Sequence, residues 1–224
     1  MADGMVTIDI LKRMPRRSIG MRITDDGKVE VRAPMLMPMF VIRRFVASHA
    51  DWIAKTKRRM SVMPKAAKVV YREGSVFTIA GKPYGIHLTD GNAIVIAGSR
   101  IFFPKKFGKH PKPHMEQFLR KFAKNHLSER TAHFAREMGV TFKRVSIRDT
   151  SSRWGSCSST GTISYAYRLI LADPSIIDYV VIHELSHVTH NHHQAAFWKR
   201  VEEFYPDHKT ARKWLTKNGH TLRI

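Results

Sequence analysis

His183 and His187 stand four residues apart in the run His183-Glu184-Leu185-Ser186-His187. On a helix, residues four apart leave the same face one turn apart. That is the reach two imidazoles need to bind one zinc ion (Zn2+) at about 2.0–2.1 Å. Glu184 is turned aside by about 100°, so it can face a water on the metal without being a ligand. Zinc lowers the pKa of such a water toward about 7, and a carboxylate placed there takes its proton as general base. The spacing predicts a metal-dependent hydrolytic centre with His183 and His187 as ligands and Glu184 as the catalytic base.

A catalytic zinc needs a third protein ligand and one open position. The candidates are His190, His192, His193 and a downstream acid such as Glu202. On an unbroken helix His193 would lie about 15 Å along the axis from His183, too far to share an ion. The helix is therefore expected to end near His190, with Asn191 suited to the turn because it tolerates the left-handed conformation of a helix stop. His190 shares the face of His183 but lies about 10.5 Å along the axis, which suits support of a ligand from behind, or contact with substrate, better than ligation. His193 is the favoured third ligand. With 13 His in 224 residues, chance yields about 0.03 HExxH matches in such a chain. Val180, Val181, Ile182 and Leu185 mark the helix as buried, and burying His183 there without a metal would be costly.

The elements that must hold these residues give an α+β fold. Ser18 to Thr24 and Lys28 to Ala33 alternate around Asp25-Asp26-Gly27, a hairpin signal. Residues 39–60 show helical spacing of Phe40, Ile42, Phe45, Val46, Trp52 and Ile53, with Arg43, Arg44, Lys55, Lys57, Arg58 and Arg59 opposite. Val69 to Thr89 and Ala93 to Phe103 read as short strands broken at Gly81-Lys82-Pro83 and Asp90-Gly91-Asn92. Gly108 to Pro113 reads as a hinge and a soft boundary. It divides a β-rich part, 1–110, from a zincin-like part, 111–224, although the two can form one compact unit. A long helix from His114 to Met138, closed by Gly139, should follow. Phe142 to Arg148 and Thr162 to Leu171 read as strands around a Ser/Gly turn. Asp173 as N-cap and Pro174 at the first position then open the histidine helix.

Composition sets the outer bounds. A 43% hydrophobic content is enough for a packed core. The net charge of +21, from 39 Lys and Arg against 18 Asp and Glu, makes nucleic acid or nucleotides candidate partners through a basic surface. Cys157 is the single cysteine, so no internal disulfide framework forms. Asp3 and Asp9 interrupt the place of a secretory apolar core, and the apolar run Ala33 to Ile42 is too short to span a bilayer. These features predict a cytoplasmic protein without a membrane partner.

The stretch Ser152-Arg153-Trp154-Gly155-Ser156-Cys157-Ser158, then Asp178-Tyr179-Val180-Val181, the HExxH run, His193, Phe197-Trp198 and Trp214-Leu215 resemble the YgjP-like family of zinc metallopeptidases. That family is a relative of the SprT-like and WLM proteases. The likeness extends to Gly27-Lys28-Val29-Glu30-Val31-Arg32 and Ala50-Asp51-Trp52-Ile53, so it covers nearly the whole chain. The resemblance implies a compact zincin core with a short sheet over the HExxH helix, His183, His187 and His193 as ligands, Glu184 as catalyst and a peptide or protein as substrate. One position departs from the pattern. The strand before the helix reads Tyr165-Ala166-Tyr167-Arg168, where the family has a Leu-Asn-Trp-Arg character. The missing Asn bears on substrate contacts rather than on the metal.

Other residues admit plainer roles. Arg153, Tyr165, Tyr167 and His190 are candidate substrate-binding residues, against core packing for the tyrosines and ion pairing for Arg153. Cys157 reads as a small buried residue, Asp178 as a complement to the helix dipole. Phe197 and Trp198 should pack the returning helix and position His193. Thr162 to Leu169 is the expected edge strand for a peptide. Two other functions fit the same residues: a metal-dependent nucleotide phosphohydrolase, lacking a phosphate-cradling Gly-rich loop, and a nucleic-acid-associated protease recruited by the basic helices. A binding module without catalysis leaves Glu184 unexplained.

Overall fold

A computed structural model describes residues 7–24, 26–62, 69–150 and 153–224. Asp3, Asp25 of the expected hairpin turn and Ser152 of the Arg-Trp-Gly stretch lie outside the described residues. The chain forms two compact units, Met1–Pro64 and Lys65–Ile224. The Gly108 to Pro113 stretch lies inside the second, where Pro111 to Pro113 open its longest helix. Helices and small sheets are mixed throughout, as an α+β chain requires. No helix among the described residues is long and apolar enough to cross a membrane.

In the first unit, β1 (Ile10–Met14), β2 (Gly20–Ile23) and β3 (Val29–Pro34) pair in the order β1-β3-β2. The β2–β3 hairpin turns at Gly27, whose φ of 81° favours glycine. β1 pairs parallel to β3 and had no alternating signal of its own. Alternation on β3 sends Val29, Val31 and Ala33 into a core with Ile42, Val46 and Ile53. The single helix expected over 39–60 is two, α1 (Met39–Ala47) and α2 (Ala50–Ser61). At the break the Ser48 hydroxyl donates to the Phe45 carbonyl at 2.9 Å, and His49 Nδ1 meets the same oxygen at 2.8 Å. Local side-chain bonds of this kind compete with helix continuation. Arg43, Arg44, Arg58 and Arg59 are all exposed.

Glu30 sits on the other face of β3 and is nonetheless only 2% exposed. Arg22 donates to it through Nε and Nη2 at 3.0 Å each, Arg32 through Nε at 2.8 Å, and Lys12 pairs with it at 3.2 Å. The Arg22 and then the Arg32 hydrogen bonds outweigh burial and hold its carboxyl at about 2. The folded value lies below the ordinary 4.5, so this stabilisation is full above pH 4.5 and fades as pH falls through about 2. Glu30→Gln should therefore lower the melting temperature at neutral pH and match wild type as pH approaches about 2. Thermal unfolding across that range checks it, and an equal deficit at every pH would contradict it.

The second unit begins with β4 (Val76–Ile79), β5 (Lys82–Thr89), β6 (Val95–Ala97) and β7 (Arg100–Pro104), ordered β4-β5-β7-β6. Their buried residues share one core with helix α3 (Pro111–Glu137). On α3, Met115, Leu119, Ala123, Leu127, Thr131 and Ala135 form a buried stripe at four-residue spacing. Gly139, at φ 62°, closes that helix as expected.

β8 (Arg144–Arg148), β9 (Gly155–Cys157) and β10 (Thr162–Ala166) form the small sheet, in the order β8-β10-β9. The expected edge strand, β10, is its centre, parallel to β8 and antiparallel to β9. The Ser/Gly stretch, expected as a turn, supplies the edge, β9. Beyond Ala166 the chain leaves the sheet as a 3-10 helix, Tyr167–Leu171.

Helix α4 (Pro174–Ser186) follows, with α5 (Ala195–Phe204) and α6 (His208–Asn218) after it. Asp173 is the N-cap with Pro174 next to it, but the Asp173 side chain makes no capping bond. The turn between β4 and β5 fits closely against this start, since a Cβ on Gly81 would lie 2.5 Å from Pro174 Cδ. Asp178 does not sit in the first turn as a dipole partner. Its two oxygens accept from Arg130 Nε at 2.8 Å and Nη2 at 2.9 Å, tying α4 to α3.

Candidate active site

Helix α4 is buried on nearly every side, with Ile176, Ile177, Val180, Val181, Ile182 and Leu185 in the core. This fixes the helix, and with it the directions in which His183 and Glu184 project. The α-helix stops at Ser186, earlier than expected, and His187 keeps helical dihedrals at its C-cap, φ −70° and ψ −15°. His187 therefore still falls one turn from His183, with ring centroids 5.1 Å apart. The chain then reverses, helped by the Gln194 N–H donating to the His192 carbonyl at 2.7 Å. The reversal returns His193 to the pair, and one ligand atom from each of His183, His187 and His193 lies within 4.8 Å of the others.

His183 Nε2 and His193 Nε2 face each other at 3.1 Å. Two nitrogens bound tetrahedrally to one zinc lie about 3.3 Å apart, so the spacing fits a shared ion. Burial first, then His187, His193 and Arg212, push the His183 imidazole down to about 3, which leaves it neutral. Two imidazole nitrogens face each other at this distance with a proton or a cation between them. His187 Nδ1 lies 3.1 Å from the His190 carbonyl, a bond that leaves its Nε2 lone pair for the cluster. His190 thus serves through its backbone, while its ring contacts the Thr189 hydroxyl at 2.9 Å. His183 Nδ1 is buried without a hydrogen-bond partner among the described residues.

Phe197, fully buried at the start of α5, touches all three rings, at centroid distances of 4.9, 4.5 and 4.7 Å to His183, His187 and His193. Trp198 stacks on His193 at 5.6 Å and on His208 at 5.5 Å. Both aromatics hold the returning segment, as their positions in the sequence suggested. Exposed Glu202 and His192 stay outside the cluster.

Glu184 is 5% exposed, and burial pushes its carboxyl up to about 8 against the opposing pull of Arg153. A dication beside a buried carboxyl favours its ionised form, so the donor set and the acid fit the same metal. The backbone of β9 lies flush on this carboxyl. A Cβ on Gly155 would meet Glu184 Cγ at 2.5 Å and Cδ at 2.7 Å, with Oε1 nearer still. In a stretch that reads as a Ser/Gly turn, Gly155 calls for no further explanation; in a strand, which the structure makes it, an isolated glycine signals such a close approach.

The tyrosines lie elsewhere. Tyr165 and Tyr167 are each 1% exposed. The Tyr165 hydroxyl meets Thr131 Oγ1 at 3.1 Å on α3, and burial holds it protonated. Tyr167 lies under Arg120 at 4.4 Å and Arg168 at 5.2 Å. Both are core residues, not surface donors to a substrate. Cys157, on β9, has its thiol pushed up by burial and by Glu184, against a nucleophilic role. Arg153 borders the site as an exposed residue beside Trp154 and Gly155.

A family model described as the YgjP-like metallopeptidase domain matches residues 17–218. No curated protein matches the chain significantly. Among solved structures, the metallopeptidase zymogen of Pyrococcus abyssi abylysin is similar, at 24% identity over 41% of this chain and 93% of that one, with a TM-score of 0.38. The metallopeptidase zymogen of Methanocaldococcus jannaschii jannalysin is similar at 13% identity over 40% and 93%, with a TM-score of 0.37.

Proposed function

The chain belongs to the YgjP-like metallopeptidase family, and from that premise we propose that it hydrolyses peptide bonds with zinc held by His183, His187 and His193 and with Glu184 as general base. The observation that carries this reading is the convergence of three imidazoles beside one buried carboxyl. When bound, the metal supplies a Lewis acid that polarises the scissile carbonyl and makes a water more acidic.

The chain's own residues do the rest. Glu184 accepts the proton of the attacking water and returns it to the leaving amine. Gly155 gives that carboxylate its place, and Phe197 keeps the three rings from turning. An extended peptide is expected to add to β9, the sheet edge that passes Glu184, through the main chain around Ser156.

Two experiments follow. Metal-loaded protein incubated with a peptide library should yield new termini that vanish with chelator, seen by mass spectrometry. Nucleotide consumption without peptide cleavage would favour the phosphohydrolase instead. Gly155→Ala should keep its metal and lose about 10²-fold in kcat/KM, because it displaces the base from its working position. Unchanged kcat/KM in that variant would mean the contact with Glu184 does not matter.

A further inference from the structure

A cavity of about 300 Å³ opens beside His183 and Glu184, walled by Trp154 and Leu215 and bordered by Arg153 and Arg212. Arg153 comes from the segment entering β9, and Arg212 from the exposed side of α6. Among the described residues neither guanidinium forms an ion pair with a carboxylate, although Arg153 pulls on the Glu184 carboxyl from farther off. Arg120, Arg130, Arg168 and Arg200 of the same unit each have such a pair, whereas Arg72, Arg136, Arg144 and Arg148 do not, so it is their place at the cavity that sets Arg153 and Arg212 apart. Arg212 is also held in place, its guanidinium 5.1 Å over the Trp198 ring. That contact orients the planar donor without using its hydrogen bonds. Arg153 borders a second cavity, of about 320 Å³, with Gly155 and Ser156 of the edge strand. One cation thus sits where the strand meets the pocket and another on the facing helix.

We propose that this cavity is a carboxylate subsite, in which Arg153 and Arg212 select peptides carrying a negative group beside the bond that is cut. The inference rests on the peptidase reading and adds the substrate class to it. Guanidinium forks match carboxylates in a bidentate manner. The apolar walls from Trp154 and Leu215 suit the methylenes of an acidic side chain or of a terminal residue.

The test is binding to the metal-loaded Glu184→Gln protein, which separates recognition from turnover. Labelled peptides differing only in Glu, Gln or Lys, each with a free or an amidated carboxy terminus, are compared by fluorescence anisotropy. A charge-assisted contact predicts about tenfold tighter binding of the carboxylate-bearing member. A preference for Glu assigns the pocket to a side chain, and a preference for the free terminus assigns it to the chain end. Arg212→Gln and Arg153→Gln should each move the ratio toward one. Arg212→Lys, which keeps the charge, should retain part of it. Joint substitution of Arg43 and Arg44 by Gln controls for the general positive field and should leave the ratio intact. Equal affinities across the set, or an equal loss in the Arg43 and Arg44 control, would overturn the subsite. Peptide cleavage by wild type would still stand in that case, whereas turnover by metal-loaded Glu184→Gln would overturn the peptidase mechanism and leave the subsite result intact.

Discussion

Alanine at His183, His187 or His193 is expected to take bound zinc from about one ion per chain to a small fraction of that. A tetrahedral site with one open position has no spare protein ligand, so each loss leaves two imidazoles. His193→Ala is the informative member, because His193 reaches the pair only through the reversal before α5. His190→Ala should keep its zinc, since the His190 carbonyl that accepts from His187 remains. Glu202→Ala should keep it as well, because Glu202 lies outside the cluster. Metal analysis of the purified, folded variants decides the matter. Full zinc in His193→Ala with loss in Glu202→Ala would assign the third ligand to the acid.

Much of this site could be read from spacing because helical periodicity is local. His183 and His187 had to share a face, and the distance to His193 required a reversal that the structure contains. Gly139 and Asp173-Pro174 marked helix ends through backbone rules that depend on one or two residues. What was missed depends on partners far along the chain. The sequence of β10 suits an edge, but β8 and β9 flank it on both sides, and a strand's neighbours are not encoded in its own alternation. Tyr165 could have faced a substrate until α3 supplied Thr131, 34 residues away, to bury its hydroxyl. Asp178 suits a helix dipole when only its own helix is considered, and Arg130, which takes it as a partner instead, lies 48 residues earlier. The break at Ser48 and His49 was local, but it rests on side-chain bonds to one carbonyl that compete with an otherwise good helical pattern.

Glu184→Gln should keep the metal and lose turnover by about 10²–10⁴-fold, the usual contribution of a positioned general base. The amide has nearly the shape of the carboxylic acid, so the tight fit against Gly155 survives and the fold is not at issue. What changes is proton acceptance: an amide oxygen cannot take a proton from water at neutral pH. The effect should fall on kcat, with peptide binding retained, because the residue acts in the chemical step. The most direct measurement is therefore the cleavage rate of one peptide by wild type and by Glu184→Gln, both shown to hold zinc at about one ion per chain. The account predicts cleavage by wild type and a loss of at least about 10²-fold in the variant. Near-equal rates at equal zinc content would contradict it.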